Sequence, residues 1–316
     1  MKKNSLNFIF CLKDKSGKTY YGILPARDKR DVRRRLAHMG LFFVDAQACD
    51  IEKVYQSRMN LDVLLMVTHR LSSLIESGVP ILNAMSILWR QTQDKTSQIV
   101  INHMHRDLED GRKLSEAMDR FPNIFSTTYR ALICVAEGSG GLVAILRKIT
   151  DFLQYQRKII MQTKRATLYP LIVLISAVAV LIGMFTFVVP VFQNVLMKMN
   201  AELPLLTKVV LGISAVIRSP YFFVPLLILV IVLILLYQKF RSNKKFIYHV
   251  DRFKLRIPLL GNILRMLAVS QFIHAMSMLI SAGRTISESF NISKESANNQ
   301  EIAQSVEKVQ KDVEQG

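Results

Sequence analysis

The chain has 316 residues, 50% of them hydrophobic and 21% charged, with a formal net charge of +18. That balance excludes a disordered chain, which buries too little apolar surface, and a wholly lipid-embedded transporter, which carries fewer charges. A membrane-anchored protein with sizeable water-facing parts remains, and its basic excess points to lipid and topology before nucleic acid.

Cys11, Cys49 and Cys134 show no CxxC spacing and read as reduced thiols or small core residues rather than metal ligands. No cleavable signal is expected, because the basic residues 1–7 are followed only by the short apolar run 8–12. Residues 7–24 alternate, with Phe8, Phe10 and Leu12 before the polar turn 14–18 and Tyr20, Gly22 and Leu24 after it, which predicts a small β-hairpin. Gly17-Lys18-Thr19 is similar to the end of a phosphate-binding loop, but Leu12 stands where that loop needs glycine, so nucleotide binding is not expected. Residues 28–39 predict a short basic helix with Val32, Leu36 and Met39 on one side and Gly40 at its end. Its arginines suit lipid phosphates or nucleic acid, although a solvated face is the simpler reading.

From Asp62 the pattern turns helical. Val67, Leu71, Leu74 and Ile75 recur at helical spacing up to Gly78, and Pro80 opens a second helix. Ile99, Met104 and Leu108 mark a third, stopped at Gly111, and Leu114, Ala117 and Met118 a fourth, broken at Phe121-Pro122. A fifth covers 127–135. Gly138-Ser139-Gly140-Gly141 then separates it from a long helix that starts near Leu142.

That helix leads into residues 168–191, which hold no charged residue and carry Pro170 and Pro190 near their ends. About two dozen helical residues reach roughly 36 Å, enough for a hydrocarbon layer of about 30 Å. A second apolar run, 221–237, is bracketed by Tyr221 and Tyr237 as interfacial anchors. Lysines and arginines crowd the outer flanks of both runs, whereas 192–220 offers only Lys198, Lys208 and Arg218. The expectation is that both helical parts and the N-terminus face the cytoplasm.

The segment around Gly78 returns around Gly283, 205 positions later, and the same offset superposes His69 on His274 and Asp107-Leu108-Glu109 on Asp312-Val313-Glu314. The expectation is therefore two copies of one helical domain, the second cut short. The division expected is 1–60 as an N-terminal hairpin plus basic helix, 62–163 as the first helical domain, 166–191 and 219–238 as spans, 192–218 as the loop between them, and 239–316 as the incomplete second domain. The fold class expected is mostly α, a polytopic membrane protein with duplicated cytoplasmic helical bundles and a small α+β leader. The end at Gly316 is read as a fragment, with a naturally short variant as the alternative.

Chemical constellations are sparse. His103 and His105 point to different sides of a helix, and Glu109, Asp110, Glu116 and Asp119 form an acidic group suited to a cation, a basic partner or plain solvation. No GxSxG, HExxH or glycine-rich dinucleotide loop occurs. A transporter or intramembrane enzyme remains the alternative class, but such a protein needs ionisable groups inside its spans, and neither apolar run holds one.

Glu76-Ser77-Gly78-Val79-Pro80-Ile81, Gly111-Arg112-Lys113-Leu114-Ser115-Glu116-Ala117-Met118, Phe121-Pro122-Asn123-Ile124-Phe125, Ala136-Glu137-Gly138-Ser139-Gly140-Gly141-Leu142 and Glu202-Leu203-Pro204 stand in this order. In that order the chain resembles the inner-membrane platform protein of type II secretion and type IV pilus assembly. The resemblance implies a non-enzymatic part of the bacterial inner membrane, without cofactor and probed best through its partners. Those it implies are the system's ATPase, pilin-like subunits, other inner-membrane assembly proteins and a second copy of the chain; no nucleic acid is expected. Gly78, Pro80, Gly111, Glu137, Gly138, Gly140, Gly141 and Gly283 are the candidate coupling or interaction residues. Glu137 and the glycines after it are expected to hold the bend into the long helix, the alternative being a solvent-facing Glu137 and an ordinary connection.

Overall fold

The computed structural model describes residues 6–37, 40–198, 260–297 and 299–315, with isolated positions between 209 and 255. The second expected span, 219–238, and the motif Glu202-Leu203-Pro204 lie outside the described residues apart from those isolated positions. The chain divides into two compact units: residues 1–158 with 254–316, and residues 159–253.

The first unit opens with strands β1 (Leu6–Lys13) and β2 (Thr19–Ala26), paired antiparallel as the alternation requires. Asp14 shapes the turn, its carboxylate accepting from the backbone of Ser16 at 2.8 Å and of Lys18 at 3.0 Å. Helix α1 (Lys29–Leu36) is capped by Asp28, as expected for the start of 28–39, and residues 38–39 of that range lie outside the described residues. A third strand, β3 (Phe42–Cys49), was not expected; it pairs antiparallel with β1, so the sheet order is β2-β1-β3. Asp50 then caps the short helix α2 (Ile51–Tyr55).

The first helical series follows: α3 (Leu61–Glu76), α4 (Ile81–Gln91), α5 (Lys95–Glu109), α6 (Leu114–Asp119) and α7 (Thr127–Ser139). Asn60, Asp94 and Ser126 each accept a backbone N–H at the start of α3, α5 and α7, which satisfies donors that a helix start leaves free. The sheet is not a separate leader. Edge strand β2 lies against α5, and Gln98, Asn102 and Arg106, spaced four apart on one face, treat it as a further strand would. Gln98 Oε1 accepts from Tyr21 N at 2.8 Å, Asn102 Oδ1 accepts from Ile23 N at 3.0 Å, and Arg106 Nη1 donates to Ile23 O at 2.7 Å. Trp89 Nε1 completes the set by donating to Tyr21 O at 2.6 Å. An exposed strand edge invites pairing with another chain, and here side chains close it. Gly22 permits the approach, since a Cβ there would overlap Phe10 and Asn102. Phe10, Leu12, Ile23, Trp89 and Ile101 accordingly share one core with Leu132 and Ile149.

Helix α8 runs Leu142–Gly183. Its early turns bury Ile145, Leu146, Ile149 and Leu153, and ion pairs Glu76 to Arg147 and Asp62 to Arg157 tie it to both ends of α3, so the two helices run in opposite directions. Pro170 lies inside α8, which runs without a break into the apolar stretch, as expected. Also in the first unit are α10 (Leu260–Ser281), α11 (Ile286–Ser293), a 3-10 turn (Lys294–Ala297) and α12 (Gln300–Gln315). They have a small core of their own around Phe290, Ile302 and Val306, while Met278 and Leu279 join the main core. Thr128 Oγ1 and Ser296 Oγ meet at 2.7 Å, and Lys148 Nζ donates to Ser281 Oγ at 2.9 Å.

In the second unit the side chains from Leu168 to Val188 are almost all exposed and apolar. The α-helix gives way to a π-turn at Met184–Val188 and resumes as α9 (Val189–Lys198), so residues 192–198 are helical where a loop was expected. Pro190 brings no N–H to the ladder, and a wider turn before it is a common accommodation. Val189 N–H reaches back to Met184 O, and Phe185 O accepts instead from Ser214 Oγ at 2.6 Å. Among the described residues, two stretches are long and apolar enough to cross a membrane, 142–192 and 264–281, the second within α10 and more extensively buried.

Candidate functional site

Three of the candidate glycines end helices in one geometry. Gly78, Gly111 and Gly283 have φ of 79°, 82° and 90°, a region that side chains with a Cβ rarely adopt. After each, the next N–H returns to the helix: Val79 N to Leu74 O at 3.0 Å, Arg112 N to Asp107 O at 3.0 Å and Arg284 N to Leu279 O at 3.1 Å. Those bonds satisfy carbonyls that the helix end would otherwise strand. Pro80 stands at the N-cap of α4 and offers no side-chain acceptor, whereas Thr285 at the start of α11 accepts from Glu288 N. Helix ends and starts fall 205 positions apart, 76 with 281, 81 with 286 and 95 with 300.

Glu137 is the most heavily engaged of the candidates. Helix α6 begins after Lys113, whose ammonium side chain cannot accept a hydrogen bond from the free N–H groups of the first turn. The acceptor comes from α7 instead. Glu137 Oε1 accepts from Leu114 N at 2.5 Å, while Oε2 accepts from Ser115 Oγ at 2.5 Å and from Ser115 N at 3.3 Å. A carboxylate at a helix N-terminus also meets the positive end of the helix dipole. The contact joins the segment at Gly111–Met118 to the segment at Ala136–Leu142, far apart in sequence. The signal in the sequence was a helix start without its own cap, and non-local pairing hid the partner.

Gly138 is not part of the break between helices; it lies inside α7, which ends at Ser139. Gly140 is the turning residue, with φ 73°, and Gly141 leads directly into α8. The bonds of Glu137 thus run to α6, one turn before that bend. Earlier on α7, Tyr129 is buried and its hydroxyl meets Thr68 Oγ1 at 3.0 Å; burial pushes its pKa up to about 12.

The remaining titratable candidates are dispersed. His103 lies 3.2 Å from Asp107, His105 lies 3.6 Å from Glu109, and Asp119 pairs with Arg130 at 2.6 Å. His274 stacks on Tyr155 at 4.5 Å between ring centres, and His69 is exposed on α3. Among the described residues, no group of three or more metal-ligating side chains is gathered.

The family model described as type II secretion system (T2SS), protein F, matches residues 67–190. Type IV pilus assembly protein PilC of Thermus thermophilus is 30% identical to this chain, the match covering 96% of the chain and 76% of that protein. The chain belongs to this family. Type IV pilus assembly protein PilC of Myxococcus xanthus is 25% identical over 96% of the chain and 74% of its own length. Type II secretion system protein F of Vibrio cholerae is 21% identical over 96% of the chain and 76% of its own length. The segment matched by the protein F model contains Gly78, Pro80, Gly111, Glu137, Gly138, Gly140 and Gly141, and Gly283 lies beyond it.

Proposed function

We propose that this chain is an inner-membrane platform of a type II secretion or type IV pilus machine, coupling a cytoplasmic ATPase to the assembly of pilin-like subunits. The observation that carries the reading is membership of the protein F and PilC family, joined to a helix, α8, that leaves the folded helical unit and continues as uncharged apolar sequence. We read the two helical series as copies of one domain, in line with the shared offset of 205 in their helix bounds. Packing of α10 and α11 against α7 supports a common, cytoplasmic side for both and for the N-terminal sheet. The protein is multi-pass in this reading, acts as a homo-oligomer alongside other inner-membrane assembly proteins, and performs no catalysis.

Coupling is proposed to pass through α6, α7 and α8. Glu137 fixes α6 to the end of α7, and Gly140 sets the angle at which α8 departs. Proline cannot reach the φ of 73° found at Gly140, because its ring holds φ near −65°. Gly140→Pro is therefore expected to insert in the membrane yet fail to support filament assembly, and Glu137→Gln to weaken assembly without removing the protein. Normal filaments from Gly140→Pro protein would refute the coupling. Failure of the ATPase to co-purify with folded wild-type chain at low salt would count against the platform role itself.

A further inference from the structure

A cavity of about 230 Å3 opens between the end of β2, helix α2 and the C-terminal turn of α5. Three guanidinium groups line it, those of Arg106, Arg112 and Arg120. Each guanidinium offers five N–H donors in a planar fork that matches phosphate or carboxylate oxygens. Few of those donors are used. Arg106 donates to Ile23 O at 2.7 Å and Arg120 to Tyr55 OH at 2.8 Å, and no hydrogen bond from the Arg112 side chain is made among the described residues.

Two carboxylates also face the cavity, Asp107 and Asp110. Asp107 is buried and lies 3.4 Å from Arg120 Nε and 3.8 Å from Arg112 Nε, close enough to hold both arginines in place without making a full hydrogen bond to either. Three cations thus meet two anions, and His103, 3.2 Å from Asp107, adds a further positive charge when protonated. Burial lowers the pKa of Arg106 despite the attraction of Asp110, Glu109 and Asp107, so the chain's own carboxylates do not fully compensate that charge. Arg35 brings α1 to the rim by donating to the carbonyl of Pro25, a lining residue, at 3.4 Å. The volume lies well above the roughly 30 Å3 of a single water and below the roughly 300–1,000 Å3 of drug-sized sites. That size admits a phosphate-sized anion.

We infer that this cavity binds a phosphate-class oxyanion, gripped by the free edges of Arg106, Arg112 and Arg120, with Asp107 holding Arg112 and Arg120 in place. The same chemistry is offered by free phosphate or a phosphomonoester and by a phospholipid headgroup. The full-length chain in detergent is melted with inorganic phosphate against chloride at matched ionic strength. A saturable rise in midpoint is expected, roughly 5–10 °C at phosphate about a hundredfold above Kd. Arg112→Gln alters a half-exposed side chain outside the core and is expected to abolish the rise while leaving the starting midpoint near wild type. No rise beyond chloride, or an equal rise in Arg112→Gln, overturns the site and leaves the arginines as partners of Asp107 alone. Repeating the melt in phosphatidylglycerol and phosphatidylcholine nanodiscs identifies the source. A phosphate response lost only in phosphatidylglycerol supports the headgroup, and one retained in both supports a soluble phosphate.

Discussion

On helix α3, Leu64 is 8% exposed and Thr68 fully buried, with Tyr129 of α7 hydrogen-bonded above them. At the positions 205 further on, Val269 and Ile273 of α10 are 40% and 57% exposed. The face that α10 does bury carries Ala268, Ala275 and Leu279, whose counterparts Val63, Arg70 and Leu74 on α3 are only partly covered. The two series thus share the starts of their second and third helices, 81 with 286 and 95 with 300, and the glycine end at Gly78 and Gly283, while turning different faces inward. Backbone punctuation is set locally, by Gly78 and Gly283 and by the caps that follow, whereas burial depends on which neighbours each helix meets.

The largest separation between the two regions is expected in core truncations. Leu71→Ala, in a side chain 2% exposed, is expected to cost about 2–5 kcal/mol, and Met276→Ala at the matching, half-buried position less than half of that. Denaturant melts of the two variants in micelles measure the gap, and equal losses would mean that the second series is packed as tightly as the first.

Tyr129 packs against the buried face of α3, and its titration gives a pH signature. Its folded pKa of about 12 lies above the ordinary 10, so the folded state keeps a proton that the unfolded state gives up. The stability linked to it is complete below pH 10 and is lost as the pH climbs through about 12, amounting to about 2–3 kcal/mol. Tyr129→Phe is expected to flatten alkaline unfolding over that window; an unchanged alkaline profile would place the tyrosine in contact with water.

Removing the carboxylate from α7 comes next. Glu137→Ala strands two backbone donors and a hydroxyl at the start of α6 and is expected to cost about 1–3 kcal/mol. Hydrogen exchange at Leu114 and Ser115 is expected to rise before that of α10 or α12. Uniform acceleration across all helices would show that the clamp is not local.

The smallest effects test the shared feature. Gly78→Ala and Gly283→Ala each force a Cβ into the left-handed region, and each is expected to cost about 1–2 kcal/mol, with neither variant clashing against a neighbour. Matching losses in thermal melts sharpen the idea of a repeated helix end. A loss confined to Gly78→Ala would separate the two regions in local geometry as well as in packing.

Much of this architecture was legible in the sequence because its signals are local. Asn7 to Leu24 alternates and folds as a hairpin, and glycine or proline marks the ends of α3, α5 and the start of α4. Strand β3 was not, since Phe42-Phe43-Val44 becomes a strand only through pairing with β1. Gln98, Asn102 and Arg106 look like a solvated stripe on α5 until β2 supplies backbone groups for them. The partner of Glu137 was hidden for the same reason, because a carboxylate and an uncapped helix start 23 residues apart carry no spacing rule. Gly138 misled through composition: three glycines in four positions read as a break, yet only Gly140 has the turning φ.

Both helical series are proposed to lie on one side of the bilayer, with the segment between the apolar runs on the other. In a chain lacking Cys11 and Cys49, labelling of native Cys134 on the exposed side of α7 is compared with Ser305→Cys on α12 and Asn200→Cys in the connecting segment, each new cysteine being placed with Cys134 removed. A membrane-impermeant thiol reagent added to spheroplasts is expected to react with Asn200→Cys alone and to reach the other two only after lysis. Reaction of Ser305→Cys and Asn200→Cys from the same compartment would contradict this arrangement.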